Sequence, residues 1–288
     1  MSYARAALIG TGMIGGSLFA ALRQAGAVTR AVGFDASPEA AARALARGIV
    51  DELAPDLASA ARGADLIVLA VPVRATESVC EALAPVMADA PSVLVTDVGS
   101  SKAEVLTAVE RWLPFPARFV GAHPIAGTER SGPDAADAAL FRGRRCLITP
   151  TASTSPAAVE ACEALWRAAG ATVERMGAER HDELLAHVSH LPHAAAFALA
   201  RAVGRIDAAG ISGGGFVDTT RIAASDPVMW RDVFLANRAP LLQALERLDE
   251  ELGAIRRAVA AGDGDALVAL IDGARAARQR VLDPGSSR

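Results

Sequence analysis

Aromatic residues are scarce in this 288-residue chain, at 4% of the whole. Its 52% apolar share is dominated by alanine, a composition that favours tightly packed helices with close backbone approach. Cysteine is scarcer still. Cys80, Cys146 and Cys162 are odd in number, far apart and without a CxxC pair, which excludes a disulfide framework and a zinc site and fits reduced thiols of the cytoplasm. Blocks of Lys and Arg are absent and the net charge is -4, so neither nucleic acid nor an anionic membrane surface is expected as a partner. No apolar run reaches the roughly 18 residues of a membrane span. The apolar stretch 6–22 after Arg5 imitates a signal peptide, but Gly10, Gly12, Gly15 and Gly16 interrupt it. A soluble, cytoplasmic protein of one large or two ordinary domains is expected.

What is present is an alternation of short apolar strands with alanine-rich helices. Strands are predicted at 6–9, 31–34, 66–70, 93–96, 119–121, 146–149 and 172–176, which reads as a parallel sheet wound with helices. Ser37-Pro38-Glu39 is a helix start, and a helix is predicted over 157–169. After about Gly177 the strand signals stop and the pattern turns helical. Leu241, Leu245, Leu248, Leu252, Ile255 and Val259 form an apolar seam, suited either to burial within its own domain or to a dimer contact. Gly262 and Gly264 break that helix before a last one over 265–282, and 284–288 reads as a frayed tail.

The run Gly10-Thr11-Gly12-Met13-Ile14-Gly15 follows the first strand and opens the first helix. The first glycine permits a tight turn and the second lets a pyrophosphate approach the backbone. The third lets helix and strand pack closely, with the helix N-terminus facing the phosphates. Asp35, 20 residues after Gly15, is placed to accept hydrogen bonds from the ribose hydroxyls and to repel a 2′-phosphate, so NAD is preferred over NADP. Val71 and Pro72 belong to the same cofactor-binding set. Asp97-Val98-Gly99-Ser100-Ser101-Lys102 follows the fourth strand and should border the nicotinamide. Either a serine there hydrogen-bonds a catalytic imidazole or the substrate hydroxyl, or Ser100 or Ser101 caps the next helix. His123, clamped before Pro124 above the sheet, suits a base that accepts a hydroxyl proton as hydride leaves; a purely structural histidine is the alternative.

The segments GxGxxGGS, DVGSSK, GAHPIAGTE, SHLPH and FVDTTRIAASDPVMW together resemble the prephenate/arogenate dehydrogenase family of tyrosine biosynthesis, from Leu8 to about Asn237. The resemblance implies an α/β Rossmann-type N-terminal domain, residues 1–177, followed by an all-α dimerisation domain, residues 178–288. It implies a homodimer joined through the C-terminal helices, with His123 as the base on the ring hydroxyl and Ser100 bonded to the same group. His193 would contact the substrate side chain and Arg221 a substrate carboxylate. Asp218, Thr128, Glu129 and Trp230 are implied as site-lining. Chemistry agrees less sharply: arginine matches carboxylates, but Arg221 equally suits an ion pair with Asp218 or Asp226. Trp230 is by default core, and Ser225-Asp226-Pro227 is a helix start whatever the function. Pro192 implies a break or kink. His187, His190 and His193 drift around a helix without acidic or thiolate partners, so no metal is expected.

The implied reaction is NAD-dependent oxidative decarboxylation of prephenate to 4-hydroxyphenylpyruvate, of arogenate to tyrosine, or both, with prephenate favoured. A dehydrogenase of 4-amino-4-deoxyprephenate is an alternative within the same chemistry. A noncatalytic NAD(H)-binding redox sensor is the alternative from another class, with His123, Arg221 and His193 arguing against it. Hydroxyacid and imine reductases share the opening but do not account for HPIAGTE followed by SHLPH. No chorismate mutase segment is expected before the first strand and no regulatory domain after the helices, so inhibition by tyrosine is expected to be competitive.

Overall fold

The computed structural model describes residues 2–127, 130–206 and 210–282, and the chain divides into two compact units, 1–238 and 239–288. Described residues of the first form an eight-stranded sheet of β1 (Tyr3–Ile9), β2 (Val28–Phe34), β3 (Glu52–Leu53), β4 (Leu66–Leu69), β5 (Leu94–Asp97), β6 (Phe119–Pro124), β7 (Arg145–Thr149) and β8 (Thr172–Arg175). Their order is β3-β2-β1-β4-β5-β6-β7-β8. Every pairing is parallel except β6 with β7, which departs from the wholly parallel expectation. The strand β3, only two residues long, carries too short a pattern to be predicted.

The central strands are covered on both faces, so they read as apolar runs rather than as alternations. Their two-residue period still sorts the side chains. Leu8, Leu66 and Val68 enter the core on one face, while Ile9, Ile67 and Leu69 enter the core on the other. From β1 the chain winds outward to β2 and β3, then returns to β4 on the opposite side of β1. That reversal opens a crevice at the carboxyl ends of β1 and β4, the place where ligands bind in such sheets.

Local chemistry sets the helix starts. Ser37 Oγ accepts from Ala40 N before the helix Pro38–Ala46, and Ser155 does the same from Ala158 N before Pro156–Ala168. Asp226 caps Pro227–Ala236 through Met229 N at 2.7 Å. Beyond β8 the described residues of the first unit form helices and helical turns. The break or kink expected near Pro192 takes the form of a π turn, Ala186–His190, between Ala178–Leu185 and Leu191–Val203. The wide turn places Pro192 in the first turn of the next segment, where its missing N–H costs little.

In the second unit, the helices Arg238–Ala261 and Gly264–Leu282 are separated at Gly262, whose φ is +65°. Along the apolar seam Leu241 is buried, whereas Leu252, Ile255 and Val259 are 54%, 45% and 62% exposed. The tail expected at 284–288 lies outside the described residues. Among those residues no helix is long and apolar enough to cross a membrane.

Candidate functional site

Three glycines of the first turn are required for three different reasons. Gly10 has φ +91°, and a Cβ there would lie 2.3 Å from the carbonyl oxygen of Ala70. A Cβ on Gly15 would stand 2.6 Å from that of Ala70, so helix Met13–Gln24 can approach the sheet only without one. A Cβ on Gly12 would meet nothing within 4 Å. The space there is open, at a helix N-terminus carrying no side-chain cap, an arrangement compatible with a pyrophosphate. Met13 begins that helix and Ile14 packs its side chain against the core. Val71 and Pro72 leave β4 beside Gly10, with Val71 N 3.2 Å from where its Cβ would be.

Asp35 is half-buried just past β2. One oxygen accepts from Thr11 N at 2.7 Å and Thr11 Oγ1 at 3.0 Å, and the other accepts from Ser37 N at 2.9 Å. It therefore staples the glycine turn to β2, a task that the spacing of the residues did not disclose. The same position, at the end of the second strand beside a dinucleotide turn, suits a ribose acceptor.

The next two loops along the sheet carry a second cluster. Lys102, the chain's single lysine, is fully buried and ion-paired with Asp97; its Nζ also donates to the Ala122 carbonyl at 2.8 Å. Asp97 in turn accepts from Ala122 N at 2.9 Å and Gly99 N at 2.8 Å. The pair thus clamps the loop after β5 to the strand that bears His123. His123 itself lies within β6, opposite Leu147 of β7, and not in a loop beyond the strand. Antiparallel pairing with β7 extends the strand past its predicted end.

The His123 ring is half-buried, and its Nδ1 lies 2.9 Å from Nε2 of His181. His181 Nδ1 is 2.8 Å from Asp182 Oδ1. The same carboxylate accepts from Lys102 N at 2.8 Å and Ala103 N at 2.9 Å, capping the helix Ala103–Trp112. This corrects the expected cap: neither Ser100 nor Ser101 plays that part, because an acid 80 residues downstream occupies it. Ser101 Oγ is buried without a hydrogen-bond partner among the described residues, while Ser100 is half-buried. Burial, assisted by His181, Lys102 and His190, drives the His123 pKa well below 6.5. Burial alone would raise Asp182, but its hydrogen bonds from His181, Ala103 and Lys102 outweigh that and hold it below the usual carboxylate range. His181 and Asp182 escaped sequence reading, the His-Asp dipeptide being their only signal, and Lys102 entered it only as the last residue of the DVGSSK segment.

His190 is buried, and burial lowers its pKa to about 4. Its Nδ1 lies 3.0 Å from the Asn237 amide, which donates to the Asp182 carbonyl at 2.7 Å. His193 is bonded through Nδ1 to the Ser189 carbonyl at 2.9 Å and stacks on Trp230 at 3.6 Å. Trp230 is buried, as expected of a core residue, yet it also forms the wall behind this histidine. Burial and the nearby Arg221 lower the His193 pKa despite the Ser189 bond. Arg221 is exposed at the start of the turn Arg221–Ala224 and, among the described residues, pairs with neither Asp218 nor Asp226. Asp218 is exposed in the helix Gly214–Thr220. Thr128 and Glu129 lie outside the described residues. The arrangement sets the glycine turn at the ends of β1 and β4 and His123 two strands away on the same sheet. Arg221 and His193 lie near each other on the helical segments after β8.

A family model described as prephenate dehydrogenase, nucleotide-binding domain, matches residues 18–175, and one described as prephenate dehydrogenase, dimerization domain, matches 177–272. The cyclohexadienyl dehydrogenase of Zymomonas mobilis is 37% identical over 91% of this chain and 90% of its own. The prephenate dehydrogenase of Aquifex aeolicus, solved with hydroxyphenyl propionate and NAD+, superimposes with a TM-score of 0.90 at 33% identity, over 98% of this chain and 99% of that one. An arogenate dehydrogenase from Synechocystis gives a TM-score of 0.80 at 27% identity, over 96% of this chain and 99% of that one. With both domain models matched in order and relatives aligned nearly end to end, the chain belongs to the prephenate dehydrogenase family.

Proposed function

We propose that this protein oxidatively decarboxylates prephenate to 4-hydroxyphenylpyruvate with NAD, and that arogenate is its second substrate. The observation that carries the reading is His123, held by a buried acid-backed histidine on the same sheet edge as the glycine turn. NAD, when bound, supplies the hydride acceptor. Gly10, Gly12, Met13, Ile14 and Gly15 would receive its pyrophosphate, Asp35 its ribose, and Val71 and Pro72 would flank it. His123 Nε2 takes the proton from the C4 hydroxyl of the ring as hydride leaves C4, and Ser100 bonds the same oxygen. The ketone so formed is vinylogous to the ring carboxylate, so the C1–carboxylate bond breaks, carbon dioxide departs and the ring becomes an aromatic phenolate. The proton on His123 Nε2 then returns to its oxygen. His193, backed by Trp230, meets the substrate side chain, and Arg221 pairs with a carboxylate. Asp218 adds to the lining. Orientation and one base suffice.

The protein works as a cytoplasmic homodimer with a functional boundary at 177/178. Support for the dimer comes from the uncovered Leu252, Ile255 and Val259 and from the dimerization-domain match; support for the boundary comes from the junction of the two matched models. The direct test monitors NADH formation with NAD and, separately, prephenate and arogenate. Turnover of neither sinks the reading, and the larger kcat/KM names the preferred substrate. A second expectation concerns Asp35. Asp35→Asn should weaken NAD by about tenfold or more, since a hydrogen bond to a charged group contributes ~1.5–3 kcal/mol, and should narrow its preference over NADP. An unchanged ratio of the two dissociation constants would remove Asp35 from the ribose site.

A further inference from the structure

We propose that His181 and Asp182 are positioning residues that fix the tautomer of His123, placing its one proton on Nδ1 and leaving Nε2 bare to act as the base. The proposal deepens the functional reading of His123 and rests on it. Four heteroatom contacts are decisive. The Asp182 carboxylate takes backbone N–H groups on both oxygens, 2.8 Å from Lys102 and 2.9 Å from Ala103, so both oxygens act as acceptors. His181 Nδ1, 2.8 Å from one of those oxygens, must therefore be the donor. Both rings are taken as neutral, with one proton each, and on that premise His181 Nε2 is bare. The only way to make a bond across its 2.9 Å contact with His123 is for Nδ1 of His123 to donate. The opposite nitrogen of His123 is left with a lone pair. A free histidine in water favours the other tautomer, with its proton on Nε2, which has no lone pair there to take a hydroxyl proton.

The same chain of contacts stabilises the product of that proton transfer. When Nε2 receives the hydroxyl proton, His123 becomes a cation. Its Nδ1–H already points at an acceptor whose far side rests on an anion, so the new charge is stabilised without reorganisation. His181 and Asp182 are 0% and 3% exposed, which keeps water from competing for those contacts. Asp182 also ties the base to the loop that carries Ser100, because the N–H groups it holds belong to Lys102 and Ala103 at the end of that loop. A structural ion pair would explain the burial. In such a pair a cationic His181 would donate from Nε2 to His123 Nδ1 and put the His123 proton on Nε2, the opposite of the tautomer proposed.

The test combines spectroscopy with kinetics. In the full-length protein labelled with 15N-histidine, long-range 15N–1H correlation should show His123 protonated at Nδ1, and His181→Leu should move that proton to Nε2. In the same variant, kcat should fall on the order of 10²–10³-fold with NAD affinity and substrate KM within twofold. His181→Gln, whose side-chain oxygen restores an acceptor near the lost nitrogen, should recover most of the rate. A wild-type His123 protonated at Nε2, or a His181→Leu protein of undiminished kcat, would overturn the proposal. The wild-type spectrum alone decides if His181→Leu does not fold. The failure of the functional reading looks different: the tautomer is as expected, yet neither prephenate nor arogenate is consumed.

Discussion

His123→Asn is expected to lower kcat by about 10²–10⁴-fold, the usual contribution of a positioned general base, while leaving NAD affinity intact. Asparagine suits the test because its amide nitrogen falls near the imidazole Nδ1 and can keep the bond to His181, so the variant loses the base without losing the support. The pH profile supplies the second half of the prediction. A base must be unprotonated, so the wild-type rate rises with pH and flattens above the pKa of His123. Burial, with His181, Lys102 and His190 nearby, drives that pKa well below 6.5, while Asp182 lies one ring further on. The plateau should therefore extend through neutrality and the fall appear only in acid. The residual rate of His123→Asn should lack that acid limb. A variant with near-normal kcat and an unchanged profile would place the base elsewhere.

Lys102→Met should destabilise the fold by roughly 3–5 kcal/mol, the cost of leaving one member of a buried ion pair alone, and so lower Tm by about 10 °C. Asp97 is 2% exposed, and its carboxylate would face methionine carbon where an ammonium had been. Every other basic side chain among the Lys and Arg of this sequence is arginine. A compact ammonium is needed here because the site takes donors in different directions, to Asp97 and to the Ala122 carbonyl, which a planar guanidinium does not match. Space is also tight: a Cβ on neighbouring Gly99 would come within 2.9 Å of Asp97, and one on Gly121 within 3.5 Å of the Lys102 stem. The double variant Lys102→Met with Asp97→Leu should regain part of the loss, since it removes the orphaned charge. A Tm unchanged in Lys102→Met would show that water reaches Asp97 and that the clamp on β6 is not needed.

Much of this protein was legible in its residue order because the signals are local. The glycine turn, the acid past the second strand and the caps at Ser37 and Asp226 each work within a few residues of chain. Apolar runs marked the buried strands, all but the two-residue β3. The errors share a cause. Ser100 and Ser101 stand where a helix cap belongs, yet the cap came from Asp182, and β6 outran its predicted end because β7 paired with it. In each case a segment distant in sequence supplied the hydrogen bonds that local reasoning gave to a neighbour.

Residue order alone marks the strands longer than two residues and the glycine turn, since periodicity and turn chemistry are written in consecutive residues. What His123 is bonded to emerges only once the chain is folded. The contacts that align Asp182, His181 and His123, and that bury Lys102 against Asp97, join positions 58 residues apart or enclose a charge that composition alone would leave in water. A proton's place on an imidazole depends on partners in space, and no spacing along the chain encodes it.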